Sequence, residues 1–125
     1  MTLPTYAVRF FRVLLGVSVL LILVLATQPM DALPVRGIND KLMHALAFLA
    51  LSWFVDFAFP KTGFDLRKIL PLLGYGLLIE LVQWPLSYRS LSGLDLLADA
   101  IGIGIYLLSQ PLLRQLPIVK ARWIP

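Results

Sequence analysis

The sequence has no cysteine, a single histidine and few charged residues. Without cysteine there is no disulfide and no thiolate metal site, and thiol chemistry does not identify a compartment. Charged residues make up 14% of the 125 and hydrophobic ones 59%, whereas a soluble domain carries about 25% charged residues. That balance excludes an ordinary soluble domain and leaves an integral membrane protein. The net charge is +4, but the basic residues are scattered between apolar runs rather than gathered on one surface, which argues against a nucleic-acid partner. There is no internal repeat, and no soluble appendage of useful size remains once the apolar runs are set aside.

Long apolar runs are what the sequence has instead. Val13 to Met30 holds 18 residues without a charge, preceded by Arg9 and Arg12; at about 1.5 Å per residue that length crosses a hydrocarbon core of about 30 Å. Ala26, Thr27, Gln28 and Pro29 do not form a small-x-small cleavage pattern after it, so a retained span is expected rather than a signal peptide. The pattern predicts a single domain, 1–125, with spans over about 10–28, 41–59, 69–86 and 94–113. Asn39 or Asp40 is placed to cap the second span and Pro60 to stop it. Asp65 can cap the third, with Pro71 in its first turn, where a missing N–H does no harm. Ser92-x-x-Asp95 reads as a capping box for the fourth. Ala98 with Gly102, and Ala100 with Gly104, put small residues four apart, a spacing that lets helices approach closely in lipid. The expected fold is all-α, a bundle of four transmembrane helices with short connections.

Lys and Arg counts set the expected orientation. Arg9, Arg12, Lys61, Arg67, Lys68, Arg114, Lys120 and Arg122 fall on the side that holds both termini, against Arg36, Lys41 and Arg89 on the other. The excess of positive charge puts both termini in the cytoplasm. Lys41, His44, Glu80, Gln83, Arg89, Asp95 and Asp99 then gather in the outer half of three helices, with Glu80 the deepest acid at roughly 9 Å from its helix end. An acid within a membrane span costs about 2.5–3.5 kcal/mol at a helix centre unless it faces protein or water, so these residues predict an outward-opening polar pocket. Each also has a plainer role open to it. Asp95 can be a helix cap, Lys41 can snorkel to the interface, His44 can be a satisfied polar residue, and Glu80 can form a buried pair with Arg89, Lys41 or His44. Asp56 lies at the other end and is expected to pair with Arg67 or Lys68.

Several of these residues form patterns in order. Asp40-Lys41-x-x-His44-x-x-x-Phe48 opens the second span, Glu80-x-x-Gln83 lies in the third, Arg89 follows, and Asp95-Leu-Leu-Ala-Asp99-x-x-Gly102 opens the fourth. In these the chain resembles the VanZ-like family of membrane proteins, over about three quarters of its length. The family usually carries Asn where this chain has Asp99, and Gly where it has Tyr88. The resemblance implies a small multi-pass protein of the bacterial cytoplasmic membrane, in a family whose founding member is associated with teicoplanin resistance.

Three functions compete on the sequence. The first is binding of an envelope lipid, a cell-wall precursor or a glycopeptide-type amphiphile, with Lys41 and Arg89 on a phosphate or carboxylate and the acids on amines or hydroxyls. The second is an enzyme acting on a lipid headgroup, with His44, Glu80 and Asp99 as the catalytic candidates; no nucleophile elbow or Cys/His pair supports it. The third is a small proton-coupled transporter working through Glu80, which four helices without a repeat would serve only as a homo-oligomer. No resident cofactor is expected, although Asp95 with Asp99 could hold a divalent cation through oxygen ligands. Asp40, Ser92, Ala98, Gly102 and Gly104 are expected to serve structure.

The orientation is open to cysteine labelling on a chain with no native thiol. Cysteines placed at Gly37 and Ser87 are expected to react with an impermeant maleimide in intact cells, and one at Thr62 to stay protected. Labelling at Thr62 with protection at Ser87 would turn the pocket towards the cytoplasm.

Overall fold

The computed structural model describes residues 3–29, 40–86, 93–117 and 120–122. Among them are four α-helices, one 3-10 turn and no strand. The helices are α1 (Thr5–Ala26), α2 (Asp40–Ala58), α3 (Leu66–Gln83) and α4 (Gly93–Leu113), and the turn is Lys120–Arg122. Three stretches, Thr5–Ala26, Lys41–Ala58 and Gly93–Leu113, are long and apolar enough to cross a membrane. α3 differs from them in carrying three charged residues, Arg67, Lys68 and Glu80.

Three boundaries differ from the sequence expectation by three residues or more, for local reasons. α1 begins at Thr5, directly after Pro4, and takes Arg9 and Arg12 into its first turns. Nothing between Thr5 and Phe10 breaks a helix, and Arg is a good helix former. α3 begins at Leu66 because Asp65 caps it: the Asp65 carboxylate accepts the Arg67 backbone N–H at 3.0 Å. The same carboxylate is gripped by the Arg67 side chain at 2.7 Å. The side-chain hydrogen bond to Arg67, followed by the backbone one, holds the Asp65 carboxyl down at about 2. With this early start Pro71 lies beyond the first turn, and its missing N–H leaves the Arg67 carbonyl without a helical donor. At the other end α3 closes at Gln83 rather than 86, where Trp84 donates to the Glu80 carbonyl and Pro85 has no N–H to continue the ladder.

Contacts between helices fix their directions. Phe11 packs on Phe57, and Arg12 Nε donates to the Ala58 carbonyl at 2.9 Å, so α1 and α2 are antiparallel. Gly76 faces Asp99 and Leu96, so α3 and α4 are antiparallel. Lys41 meets Asp95, His44 meets Asp99 and Asp56 meets Gln110, so α2 and α4 run parallel, and theirs is the most extensive interface. The chain therefore reverses direction three times over its four helices, as short connections between spans require.

Polarity is distributed inside out. Phe10, Val13, Val17, Leu20 and Val24 of α1 and Leu108 and Leu112 of α4 are exposed, whereas Ser52, Asp56, Lys68, Gln83, Asp95 and Asp99 are buried. A soluble protein seldom leaves so much contiguous apolar surface bare. Between the polar groups at the two ends lies an apolar middle of Phe48, Leu51, Leu72, Ile79 and Ile103.

The small residues of α4 do not all act alike. Ala98 is buried, and a Cβ added at Gly102 would run into the Ala45 carbonyl oxygen of α2. Gly104, expected at a close helix contact, has nothing within 4 Å of an added Cβ and is not part of one. Gly102→Ala is therefore expected to destabilise the bundle by about 1–3 kcal/mol through overpacking. Gly104→Ala should be neutral or stabilising by up to about 1 kcal/mol, since Ala is the better helix former. Thermal unfolding in detergent compares them directly, and equal tolerance of both would mean that α2 and α4 do not touch at Gly102.

Candidate functional site

α2 starts, α3 ends and α4 starts at the same end of the bundle, and their polar residues converge there. Asp95 and Asp99 are one turn apart on α4 and fully buried. Lys41, in the first turn of α2, donates to Asp95 Oδ1 at 2.8 Å. His44, one turn further along, shares a hydrogen bond with Asp99 through Nδ1 at 2.7 Å. The other ring nitrogen, Nε2, lies 3.9 Å from Asp95 Oδ2. Glu80 reaches the same place from α3: one donor atom each from His44, Glu80 and Asp95 lies within 4.8 Å of the others. Gln83, one turn on, uses its Nε2 to bond the Ala26 carbonyl at 3.0 Å and so ties α3 to the end of α1. A Cβ at Gly76 would meet Asp99 Oδ2 at 2.5 Å, so glycine is what lets α3 approach this carboxylate.

Of the residues expected at the site, Lys41, His44, Glu80, Gln83, Asp95 and Asp99 are thus together. Arg89 and Ser92 lie outside the described residues, as does the side chain of Asp40, which opens α2. The depths change. Because α3 ends at Gln83, Glu80 is only roughly 4.5 Å from its helix end, whereas Asp99 is roughly 9 Å from the start of α4. Asp99 is the deepest acid, and Glu80 is half-buried. Asp95 is more than a cap, since its carboxylate is the partner of Lys41. For the expected cation pair of Asp95 with Asp99, Asp99 Oδ1 is engaged by His44 instead.

The electrostatics are lopsided. Glu80, Asp95 and Asp99 face one lysine, so with the imidazole neutral these described residues carry a formal excess of two negative charges. Three buried oxygens here, Glu80 Oε1, Gln83 Oε1 and Asp95 Oδ2, have no hydrogen-bond partner. A buried unsatisfied acceptor costs about 1–3 kcal/mol. These acceptors face no donor among the described residues.

The opposite end has its own polar cluster, and there the groups are satisfied. Asp56 Oδ1 accepts from Lys68 and from Arg122, both at 2.7 Å, and Oδ2 accepts from Tyr106 at 2.6 Å. Lys68 also donates to the Phe59 and Thr62 carbonyls, and Arg122 to those of Asp56, Pro60 and Thr62. Lys68 is the expected partner of Asp56, while Arg67 turns to Asp65. Tyr106 and Gln110 went unread in the sequence, and Arg122 was read only as a basic residue that sets the orientation. The one available signal was that Tyr106 and Gln110 follow Asp99 at helical spacing along one face. Beside this cluster, between α1, α2 and α3, is a cavity of about 1210 Å³ lined by apolar side chains with Arg12, Lys61 and Arg67 at its edge. It lies far from the acidic site, since His44 and Asp56 are roughly 18 Å apart along α2.

Compared with known proteins, the chain matches no family model, no curated protein and no solved structure.

The ion pair that fastens α2 to α4 can be measured by a double-mutant cycle. Lys41→Met and Asp95→Asn are expected to couple by about 0.5–3 kcal/mol in detergent unfolding, because Asp95 is fully buried although Lys41 is partly exposed. Additive losses would show that the two side chains do not meet.

Proposed function

We propose that the chain is a four-span protein of the bacterial cytoplasmic membrane, with both termini inside, that binds the headgroup of an envelope amphiphile at its outer end. α3 supports the fourth span: its 18 residues measure roughly 27 Å, and its charges stand only near the two ends. The resemblance to the VanZ-like family agrees with this setting. The observation that carries the binding reading is the trio of buried oxygens without hydrogen-bond partners, on Glu80, Gln83 and Asp95, where three acids meet one lysine among the described residues. Such a site calls for hydrogen-bond donors, and a protonated amine supplies both donors and positive charge. Lys41 and Arg89 would take the phosphate or carboxylate of the same headgroup. The ligand class is an amphiphile bearing an amine beside an anion, as aminophospholipids, lipid-linked cell-wall precursors and glycopeptide-type amphiphiles do.

The enzyme reading has one observation in its favour. Asp99 on His44 Nδ1 is the arrangement that orients a general base. Glu80 stands nearby as an acid, but no described side chain here offers a nucleophile.

Thermal stabilisation by lipids tests binding. With chelator present, phosphatidylethanolamine is expected to raise the unfolding temperature more than phosphatidylglycerol, which lacks the amine. Arg89→Gln should fold and lose at least about tenfold in affinity, worth about 1.4 kcal/mol. Arg89→Lys should recover part of that, because it lacks the planar fork. Recovery of binding in an Arg89→Gln, Glu80→Gln double variant would reduce Arg89 to a structural partner of Glu80, and equal stabilisation by the two lipids would remove the amine from the proposal.

A further inference from the structure

We infer that His44, Glu80 and Asp95 form a seat for a first-row divalent cation of the Zn²⁺ or Mn²⁺ kind, with Asp99 as the residue that positions the histidine. The three side chains come from three helices, and their donor atoms already lie within 4.8 Å of one another. His44 Nε2 and Asp95 Oδ2 are 3.9 Å apart. Ligand atoms around a tetrahedral zinc stand roughly 3.3 Å apart for metal–ligand bonds of about 2.0–2.1 Å, so this pair needs to close by only about half an ångström.

Proton positions give the stronger argument. Asp99 Oδ1 is 2.7 Å from His44 Nδ1 and holds a proton on that nitrogen, so that in the neutral ring the lone pair is on Nε2. Nε2 then stands beside Asp95 Oδ2, an atom that is buried and has no hydrogen-bond partner. Glu80 Oε1, also buried and unpartnered, is the third member. Lone pairs gathered in a buried space repel one another unless a cation lies between them. A carboxylate on the far nitrogen of a ligating histidine is the usual supporting contact at metal sites, raising the basicity of the ring and fixing its tautomer. Here Asp99 makes that contact.

Charge and ligand type agree. The two carboxylate ligands, Glu80 and Asp95, bring when both are ionised two negative charges, the number that a divalent cation matches. Lys41 holds Asp95 by Oδ1 and leaves Oδ2 for the metal. Imidazole with carboxylates suits zinc or manganese, whereas calcium and magnesium prefer oxygen alone. The seat goes beyond the headgroup reading and does not rest on it. The cation would occupy the place of the headgroup amine, so the two compete.

The full chain in detergent, stripped with chelator and free of added lipid, is titrated with ZnCl₂ and MnCl₂ by calorimetry and by thermal shift. One equivalent is expected to bind and to raise the unfolding temperature, with MgCl₂ and CaCl₂ at least tenfold weaker. His44→Gln should weaken binding by at least about 100-fold, and Asp99→Asn by about 10- to 100-fold at unchanged stoichiometry. Bound Mn²⁺ should show nitrogen hyperfine coupling that disappears in His44→Gln. Glu80→Gln, at a half-buried position, serves in place of His44→Gln if that variant does not fold, and should weaken binding likewise. Absence of binding, binding indifferent to His44→Gln and Glu80→Gln, or a manganese spectrum without nitrogen coupling would overturn the seat. Lipid binding measured in chelator fails or succeeds separately, so the two proposals do not fall together.

Discussion

Asp56 is a fully buried carboxylate held at once by Lys68, Arg122, Tyr106 and Gln110. One side chain of α2 thereby joins α3, α4 and the C-terminal turn. Breaking a buried ion pair by removing one partner costs about 3–5 kcal/mol, because the remaining charge has no water to return to. The two cations exceed the single carboxylate, and the excess is absorbed by carbonyls. Pro60 and Thr62, just beyond the end of α2, receive Lys68 and Arg122 on their carbonyls, and Lys68 adds to the long bonds that Thr62 gives the Phe59 carbonyl. Cations at a helix C-terminus also lie at the negative end of its dipole. Charge and hydrogen bonding balance here together.

At the acidic end they do not. There, among the described residues, Glu80, Asp95 and Asp99 stand against one lysine, and buried oxygens of Glu80, Gln83 and Asp95 go without hydrogen-bond partners. A fold that satisfies one end so fully has the means to satisfy the other. The imbalance among the described residues is what the proposed headgroup or cation would relieve. The apolar middle separates the two clusters, so that neither can borrow the other's charge.

Much of this was legible in the sequence, because an ionisable residue in an apolar run has few places to go. Lys41, His44, Glu80, Gln83, Asp95 and Asp99 had to face one another once the connections were short and the directions alternated. Asp65 was readable as a cap, and Lys68 as one of two candidate partners of Asp56. Less legible were positions that depend on where a helix starts or stops. Asp65 begins α3 early and moves Pro71 inward, while Pro85 ends it early and brings Glu80 nearer the surface. Gly104 resembled Gly102 in spacing, yet only Gly102 faces Ala45. Arg122 was hidden for another reason. It lies beyond Pro117, well past the end of α4, and nothing local announces that the chain turns back to α2.

That return of the chain bears on how the protein is made. Asp56, Lys68, Tyr106 and Gln110 are all synthesised before Arg122, so during insertion the carboxylate meets its partners in sequence rather than at once. Until Arg122 arrives, the carbonyls of Pro60 and Thr62 lack their guanidinium donor, and the bundle is open at that end. A ribosome that stops early thus leaves a chain whose four helices are present and whose lock is missing. Such a chain keeps the Asp56 carboxylate and its lysine but leaves the Pro60 carbonyl bare, so that end of the bundle is half made before it is closed.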